Sequence, residues 1–353
     1  MTNGQKPPLI GIMTARNSNG RIVGNIPLFT SIQTKLHALN VSCFMFIPEE
    51  IEEDSIIGYT FSQERLRWEK KRFPYPDLVY NRIPFRKTEK DEKTQQFFST
   101  LIEKNIPFFN PCFIDKYELY QLFNSHAILQ RYLPQTLLVR NQKEFYSFFN
   151  KHNNIYLKPS QSSKGKGIIR LRMIDSSTIQ LAGINLSRDY SSIAQFWEEW
   201  GKELVTKHYL AQEEINSAEF QGKRFDFRIL AHANHDDYIP TGVGIRQSFE
   251  QDITTHILAG GRLLPYEKLQ SIEHDRFIHT IVPLVGRILS ERYGYFGEFS
   301  IDAGVSQTGL YYIYEVNSKP MSFDEIEIEE RKLDHLCQLF LTLTNYKNIQ
   351  NLI

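Results

Sequence analysis

Glu298-Phe-Ser-Ile-Asp302, a turn at Ser306-Gln-Thr-Gly309, and Tyr311-Tyr-Ile-Tyr-Glu315-Val-Asn317-Ser-Lys-Pro320 decide how this chain is read. Two apolar, aromatic-rich runs flank a short polar turn containing Gly309, the pattern of a β-hairpin. Side chains alternate faces along a strand, so Glu315 and Asn317 point the same way. With the turn centred between Gln307 and Thr308, Asp302 stands opposite Ile313. It is then a diagonal neighbour of Glu315, roughly 7–8 Å away on the same face. Two carboxylates and an amide oxygen converge there, a set of hard oxygen ligands of the kind Mg²⁺ takes when substrate phosphates complete its shell. A register slip of one residue would send Asp302 to the other face. An ordinary amphipathic hairpin with solvent-facing polar residues would carry the same letters, so the weight comes from the rest of the chain.

The 353 residues suffice for two or three packed domains. With 41% hydrophobic and 23% charged residues, the composition is that of an ordinary globular protein. Lys+Arg and Asp+Glu balance at 41 each, so no global basic field points to nucleic acid and no acidic excess points to disorder. The three cysteines, Cys43, Cys112 and Cys337, are scattered and form no C-x-x-C, which argues against a zinc knuckle or a disulfide framework and fits a reducing cytoplasm. No secretory signal opens the sequence, and no apolar stretch approaches the roughly 20 residues that cross a bilayer. The 25 Phe and 18 Tyr are spread throughout, as core material is.

From the beginning, Leu9–Met13 reads as a short buried strand. Phe29–Asn40 has helical spacing of Phe29, Ile32, Leu36 and Leu39, and Val41–Ile47 is a second strand ended by Pro48. This β-α-β pattern favours a parallel sheet. Asp77–Tyr80 is another strand, and the polar cluster Asn81-Arg82-Ile-Pro84 follows at its carboxyl end, where open α/β sheets place ligands. Lys87–Lys104 is helical with Phe97, Phe98, Leu101 and Ile102 as its stripe, and Asn110-Pro111 marks a break. Asp115 caps a helix expected to run to about Tyr132. A strand at Gln135–Arg140 and a short helix at Glu144–Asn150 come next.

Ile155–Lys158 is a strand that ends in Lys158-Pro-Ser-Gln-Ser-Ser-Lys-Gly-Lys-Gly167, and Ile168–Met173 alternates apolar and basic residues. A Gly/Ser/Lys loop thus links two antiparallel strands. It is no P-loop, because the glycines lead into a strand rather than a helix. Glycines still let backbone N–H groups approach phosphate oxygens, and lysines supply the charge. Tyr209–Ile215 and Phe225–Leu230 are strands, with Asp226 and Arg228 on one face. His232-Ala-Asn-His235 reads as a strand end and turn rather than a metal site. Thr241-Gly-Val-Gly-Ile-Arg246 is a glycine-bearing strand. After it, Thr254-Thr255-His256 leads into Ala259-Gly-Gly261, where backbone is expected to lie close to something. Leu264–Arg292 reads as a long helix with Pro283 inside and Gly294 as its cap, and a charged helix from about Phe323 to Thr344 closes the pattern.

Taken in order, the lysine at a strand end, the Gly/Lys hairpin tip, the Gln-Glu strand, the Asp-x-Arg strand and the final Asp…Glu-x-Asn resemble the ATP-grasp superfamily. The stretches Tyr80–Pro84, Lys158-Pro159, Lys164–Ile168, Thr241–Arg246, Ala259–Gly261 and Glu315–Pro320 most resemble its endospore coat-associated YheC/YheD family. The resemblance covers roughly residues 115–345. It implies an α/β domain of the kind that precedes ATP-grasp modules at 1–112 and an ATP-grasp fold of two α+β lobes at 113–345. The first lobe, with the phosphate flap, would be 113–210; the second, with the metal hairpin, would be 211–345, and the nucleotide would lie between them.

The resemblance also implies roles. Lys158 would contact the α/β-phosphates under a flap of Ser163, Gly165, Lys166 and Gly167. Gln212, Glu213 and Ile215 would line the adenine pocket, and Glu219 would reach the ribose. Asp226 and Arg228 would sit near the γ-phosphate, and Asp302, Glu315 and Asn317 would hold Mg²⁺, or Mn²⁺ in its place. Many ATP-grasp ligases carry a basic residue two positions before the first metal carboxylate; here that residue is Ser300. Arg246 or Lys319 could supply the charge, and with Arg228 they are the catalytic candidates; Arg246, Thr254-Thr255 and Asn81-Arg82 are candidates for the second substrate. The implied activity is an ATP-dependent carboxylate–amine ligase working through an acyl-phosphate on a small-molecule or peptide carboxylate. The alternatives are a spore coat-associated ATP-binding protein with little turnover, in contact with coat proteins, and an ATP-dependent phosphotransferase. Neither nucleic acid nor membrane is an expected partner.

Overall fold

The computed structural model describes residues 6–161, 167–249, 255 and 260–346. The amino-terminal region begins with β1 (Leu9–Met13), the small ribbon β2 (Ala15–Arg16) and β3 (Ile22–Val23), α1 (Ile26–Ala38) and β4 (Ser42–Ile51). It continues through β5 (Ile56–Ser62), β6 (Arg67–Phe73), β7 (Leu78–Asn81), α2 (Arg86–Glu89), α3 (Glu92–Glu103) and β8 (Phe108–Phe109). Its sheet runs β6-β5-β4-β1-β7-β8. β1 lies parallel to β4 and β7, as the β-α-β pattern predicts. The β5–β6 hairpin was absent from that reading, because its strand Arg67–Phe73 is charged and mostly exposed and shows no apolar alternation. The helix expected over 87–104 is two helices, since Asp91 turns its backbone extended and caps the second one.

The middle region holds α4 (Lys116–Asn124), β9 (Thr136–Leu138), α5 (Gln142–His152), β10 (Asn154–Pro159), β11 (Ile169–Met173), β12 (Ile179–Gly183), β13 (Leu186–Tyr190), α6 (Ile193–Thr206) and β14 (Tyr209–Glu213). Asp115 accepts from the backbone N–H groups of Tyr117 and Glu118 and starts α4, as predicted. The helix is shorter than expected, because a separate 3₁₀ turn takes up Leu129–Tyr132. The antiparallel sheet runs β13-β12-β11-β10-β14-β9. It encloses its own core, in which Phe145, Phe149, Leu157, Leu171, Phe196 and Leu204 are fully buried.

The last region contains β15 (Glu219–Phe220), β16 (Lys223–Asn234), β17 (Asp237–Ser248), β18 (Gly261–Leu264), α7 (Ile272–Tyr293), β19 (Glu298–Val305), β20 (Tyr311–Asn317) and α8 (Ile326–Leu343). Its sheet runs β18-β17-β16-β19-β20. α7 starts at a Ser271 cap rather than at Leu264, which ends β18, and it closes at Gly294 with φ +102°, a left-handed value that suits glycine. His232 ends up inside β16 and His235 in the turn after it, which agrees with the structural reading of that pair. A second core joins this sheet to the amino-terminal one: Phe29, Tyr80 and Phe109 pack in one cluster with Phe227, Phe299, Leu336 and Phe340. The first and last regions therefore share an interior, to which α4 adds Leu119 and Phe123, while the sheet of the middle region keeps its own core. Among the described residues, no helix is long and apolar enough to cross a membrane.

The hairpin β19–β20 forms, but with a different register from the predicted one. Val305 pairs with Tyr311 and Ala303 with Ile313, which centres the turn on Thr308 rather than between Gln307 and Thr308 and shifts every partner on the turn side by one residue. Continued unchanged, that register would place Asp302 opposite Tyr314 and on the wrong face. A β-bulge between Asp302 and Ala303 intervenes, and Asp302 pairs directly with Glu315 instead. The expected diagonal relation is thus a face-to-face pair, with Ser300 opposite Asn317.

Candidate functional site

Period-two alternation fixes what each sheet presents. On the middle sheet, Tyr156 and Lys158 share a face of β10, and Gln212 of β14 pairs with Tyr156. Lys158 Nζ donates to Gln212 Oε1 at 2.6 Å, and Gln212 Nε2 donates to Thr136 Oγ1 at 3.1 Å. Burial pushes the Lys158 ammonium down to about 8, and Lys116 pushes the same way; Glu315 and Asp226 oppose them. The lysine therefore feels carboxylates of the last sheet across a gap between regions.

On that last sheet, Arg224, Asp226 and Arg228 alternate along one face of β16. Arg246 of β17 pairs with Asp226, and Asp302 of β19 pairs with Arg228. Asn317 Nδ2 donates to Asp302 Oδ2 at 3.2 Å, so the amide and both carboxylates of the hairpin stand together. Burial raises the Asp302 carboxyl above its ordinary range; Arg228 opposes the rise, and Glu315 and Asp226 add to it. Burial likewise raises Asp226, against Arg224, a hydrogen bond from Thr255 Oγ1 at 2.6 Å, and Lys158. These carboxylates stand half-buried beside one another, and the positive charge around them does not bring Asp302 or Asp226 back to the ordinary range, which is the condition that a divalent cation relieves. Among the described residues no group of three or more His, Cys, Asp or Glu side chains forms a metal cluster. The donor set here is two carboxylates and an amide, and all are oxygen ligands that suit Mg²⁺ with phosphate oxygens added.

The other expected residues are placed as follows. Glu213 accepts from the Gln135 backbone N–H at 2.7 Å and lies 3.3 Å from His152 Nδ1, on the opposite side of β14 from Gln212. Ile215 follows β14 and is half-buried, and Glu219 is exposed and pairs with Arg224. Gly167 has φ +74°, and a Cβ there would meet Pro159 at 3.0 Å. Ser163, Gly165 and Lys166 of the expected flap, with Lys164, lie outside the described residues, as do Thr254, His256 and Ala259.

The three catalytic candidates differ. Arg228 stacks on Phe323 at 5.1 Å, and its Nε is buried without a hydrogen bond. Arg246 is held by Glu325 at 2.5 and 3.0 Å and by Asp324 at 3.4 Å. Lys319 is paired with Glu89, and burial lowers it to about 8. Asn81 and Arg82 are buried and committed elsewhere: Asn81 donates to the Asn110 carbonyl at 3.0 Å, and Arg82 pairs with Glu298 at 2.7 Å and donates to the Pro320 carbonyl at 2.8 Å.

Two residues at this site escaped the sequence reading. Lys116, in the first turn of α4, reaches Glu315 at 3.3 Å. Arg224 donates to the Tyr156 hydroxyl at 3.0 Å and so links the middle sheet to the last one. The alternation Arg224-x-Asp226-x-Arg228 was present in the sequence and would have put Arg224 on the same face. Nothing local marks Lys116, which owes its place to the docking of α4.

A description of YheC/D-like ATP-grasp proteins matches residues 105–346. The chain is similar to the endospore coat-associated protein YheD of Bacillus subtilis (strain 168): the two are 30% identical over 331 residues, spanning 89% of this chain and 72% of that one. Its fold matches D-alanyl-alanine synthetase A from Vibrio cholerae with a TM-score of 0.58 at 12% identity, over 98% of this chain and 99% of that one. It also matches the ATP-grasp ligase PsnB, solved with a minimal precursor, Mg and ADP, with a TM-score of 0.54 at 14% identity, over 95% and 97% of the two chains. At those identities the likeness is one of fold.

Proposed function

The chain belongs to the YheC/D-like ATP-grasp family, and from that premise we propose that it binds Mg-ATP between its middle and last sheets and acts as a carboxylate–amine ligase. The observation that carries this reading is the half-buried patch of Asp302, Glu315 and Asn317 facing Lys158 and Lys116.

Asp302, Glu315 and Asn317 would hold Mg²⁺, which would neutralise phosphate charge there. Lys158 and Lys116 donate to phosphate oxygens, and Gln212 keeps Lys158 aimed until the nucleotide arrives. Arg228 makes no ion pair within 4 Å among the described residues, so its guanidinium is left to stabilise charge where the phosphoryl group moves. In the proposed reaction an acceptor carboxylate oxygen attacks the γ-phosphorus and ADP departs. An amine then attacks the acyl carbon, phosphate leaves, and the amine loses its proton. Most of the rate would come from holding the reactants together. A spore coat-associated role, with coat proteins as partners, is compatible with the name of the YheD relative.

A second reading, nucleotide binding with little turnover, is favoured by a specific observation. The position that precedes Asp302 by two is Ser300, whose Oγ is buried without a partner, and Arg246 and Lys319 are already neutralised by Glu325 and Glu89. One experiment separates the readings. Purified protein is incubated with Mg-ATP and a panel of amino acids and short peptides. ADP and phosphate released only with an acceptor support the ligase. Nucleotide-dependent thermal stabilisation with no release from any acceptor supports the binding protein. ADP formed with a hydroxylamine-resistant phosphorylated product points to a phosphotransferase and overturns both.

A further inference from the structure

At the open end of the metal hairpin, the Asn110 side chain, from outside the sheet, ties the backbone of both strands, next to Arg82, which holds the Glu298 carboxylate and the Pro320 carbonyl. Asn110 follows β8 and is fully buried, with a left-handed φ of +57°, a conformation asparagine tolerates better than most residues. Its Nδ2 donates to the carbonyls of Glu298 at 2.9 Å and Ser318 at 2.5 Å. Its Oδ1 accepts from the N–H groups of Gly297 at 3.0 Å and Glu298 at 3.3 Å. An amide has two N–H donors and two acceptor lone pairs, and here all four are used. Its backbone N–H reaches the Tyr295 carbonyl at 2.9 Å, and its carbonyl accepts from Asn81. Gly297 permits the approach: a Cβ there would meet Phe109 at 2.5 Å and Leu339 at 2.6 Å.

The place of this clasp gives it a task. Beyond the bulge the hairpin has only the pairs Asp302–Glu315, Ile301–Val316 and Ser300–Asn317. Three pairs are a short stretch on which to hold a shifted register. The competing arrangement simply continues the pairing of the turn side and sets Asp302 opposite Tyr314, on the wrong face. Glu298, which opens β19, and Ser318, which follows β20, both present carbonyls to the same amide, and two carbonyls cannot bond each other. A donor must stand between them, and it fits only when the strands end in the bulged register.

We infer that Asn110 is a positioning residue for the divalent-cation site: the amino-terminal region, through this amide, favours the register that brings Glu315 and Asn317 to Asp302. The inference rests on the metal role proposed above. It is tested by titrating Mn²⁺ into the full chain with ADP present, following free Mn²⁺ by electron paramagnetic resonance, with hydrogen exchange of residues 311–319 as a second readout. Asn110→Ala is expected to weaken Mn²⁺ binding by about tenfold or more, the scale typical of groups that orient metal ligands. It should speed exchange in that segment while ADP affinity without metal changes less than about twofold. Asn110→Ser, which keeps one donor, should fall between, and Leu204→Ala, in the separate core of the middle region, should change neither readout despite its loss of stability. Wild-type Mn²⁺ affinity in Asn110→Ala, or in Asn110→Ser should the alanine variant not fold, overturns the inference. So does an equal loss in Leu204→Ala. If the wild-type chain takes up no Mn²⁺, the functional reading fails instead; unchanged exchange at 311–319 in the Asn110 variants then overturns the clasp independently.

Discussion

Glu298 and Asp302 sit four residues apart on one face of one strand, the first fully buried and the second half-buried, and their surroundings drive them in opposite directions. Burial alone would raise both. At Glu298, Lys332 and Arg82 together with His232 and the Tyr80 hydroxyl more than reverse it, and the carboxyl lies below its ordinary range. Arg82 Nη1 is 2.7 Å away and Lys332 Nζ is 3.7 Å away. At Asp302 Arg228 and, more weakly, Arg246 pull back, while Glu315 and Asp226 push further, and the carboxyl lies above its ordinary range. A buried carboxylate whose cations are built into the chain is architecture. One whose neighbours are more carboxylates is waiting for a cation from solution.

The comparison can be broken at either end. Glu298→Gln is expected to cost the most, about 3–5 kcal/mol, because it leaves Arg82 and Lys332 buried without their counter-charge. Urea denaturation would show it as a lower midpoint at unchanged slope. Its wild-type contribution is fully present above the unfolded carboxyl value and is lost as pH falls through the lower folded one. Asp302→Asn should leave the folded protein no less stable, since it removes a charge that its surroundings oppose. It should nevertheless weaken metal-dependent nucleotide binding by about a hundredfold, or about 2.7 kcal/mol, measured by calorimetry with and without Mg²⁺. If both variants lose stability alike, the distinction between the two carboxylates is wrong.

Lys158 sharpens the contrast from the other side of the gap. Burial lowers it to about 8, and phosphate contact would raise it again. Binding then takes up a proton above that value, so affinity should fall about tenfold from about pH 7 to about pH 9, and Lys158→Met should flatten the profile. In the absence of nucleotide the sign reverses: the unfolded chain binds more protons between about 8 and the ordinary lysine value, so this group makes the protein more stable as pH rises through that window. The smallest effect belongs to Asp324→Asn. Its carboxylate is half-exposed and 3.4 Å from Arg246, which keeps Glu325, and less than about 0.5 kcal/mol should be lost.

That Asp302, Glu315 and Asn317 share one face was legible from alternation, and so was the order of most elements, whereas Lys116 was not. What the sequence did not display were features set by packing at a distance. The charged strand β6 has no apolar pattern because it is the outermost strand of its sheet and pairs only with β5. The commitments of Arg246 and Lys319 to Glu325 and Glu89, about eighty and 230 positions away in sequence, depend on how α8 and α2 dock. Asn110 read as a break in the chain, and its amide's four partners, 187 to 208 positions away, have no local signature.

The bulge at Tyr314 leaves a rule for anyone who would redesign this hairpin. Deleting Tyr314 would let the Ala303–Ile313 pairing run without a break into Asp302–Glu315, whereas shortening Ser306–Leu310 leaves the aspartate on its face as long as Val305 still meets Tyr311.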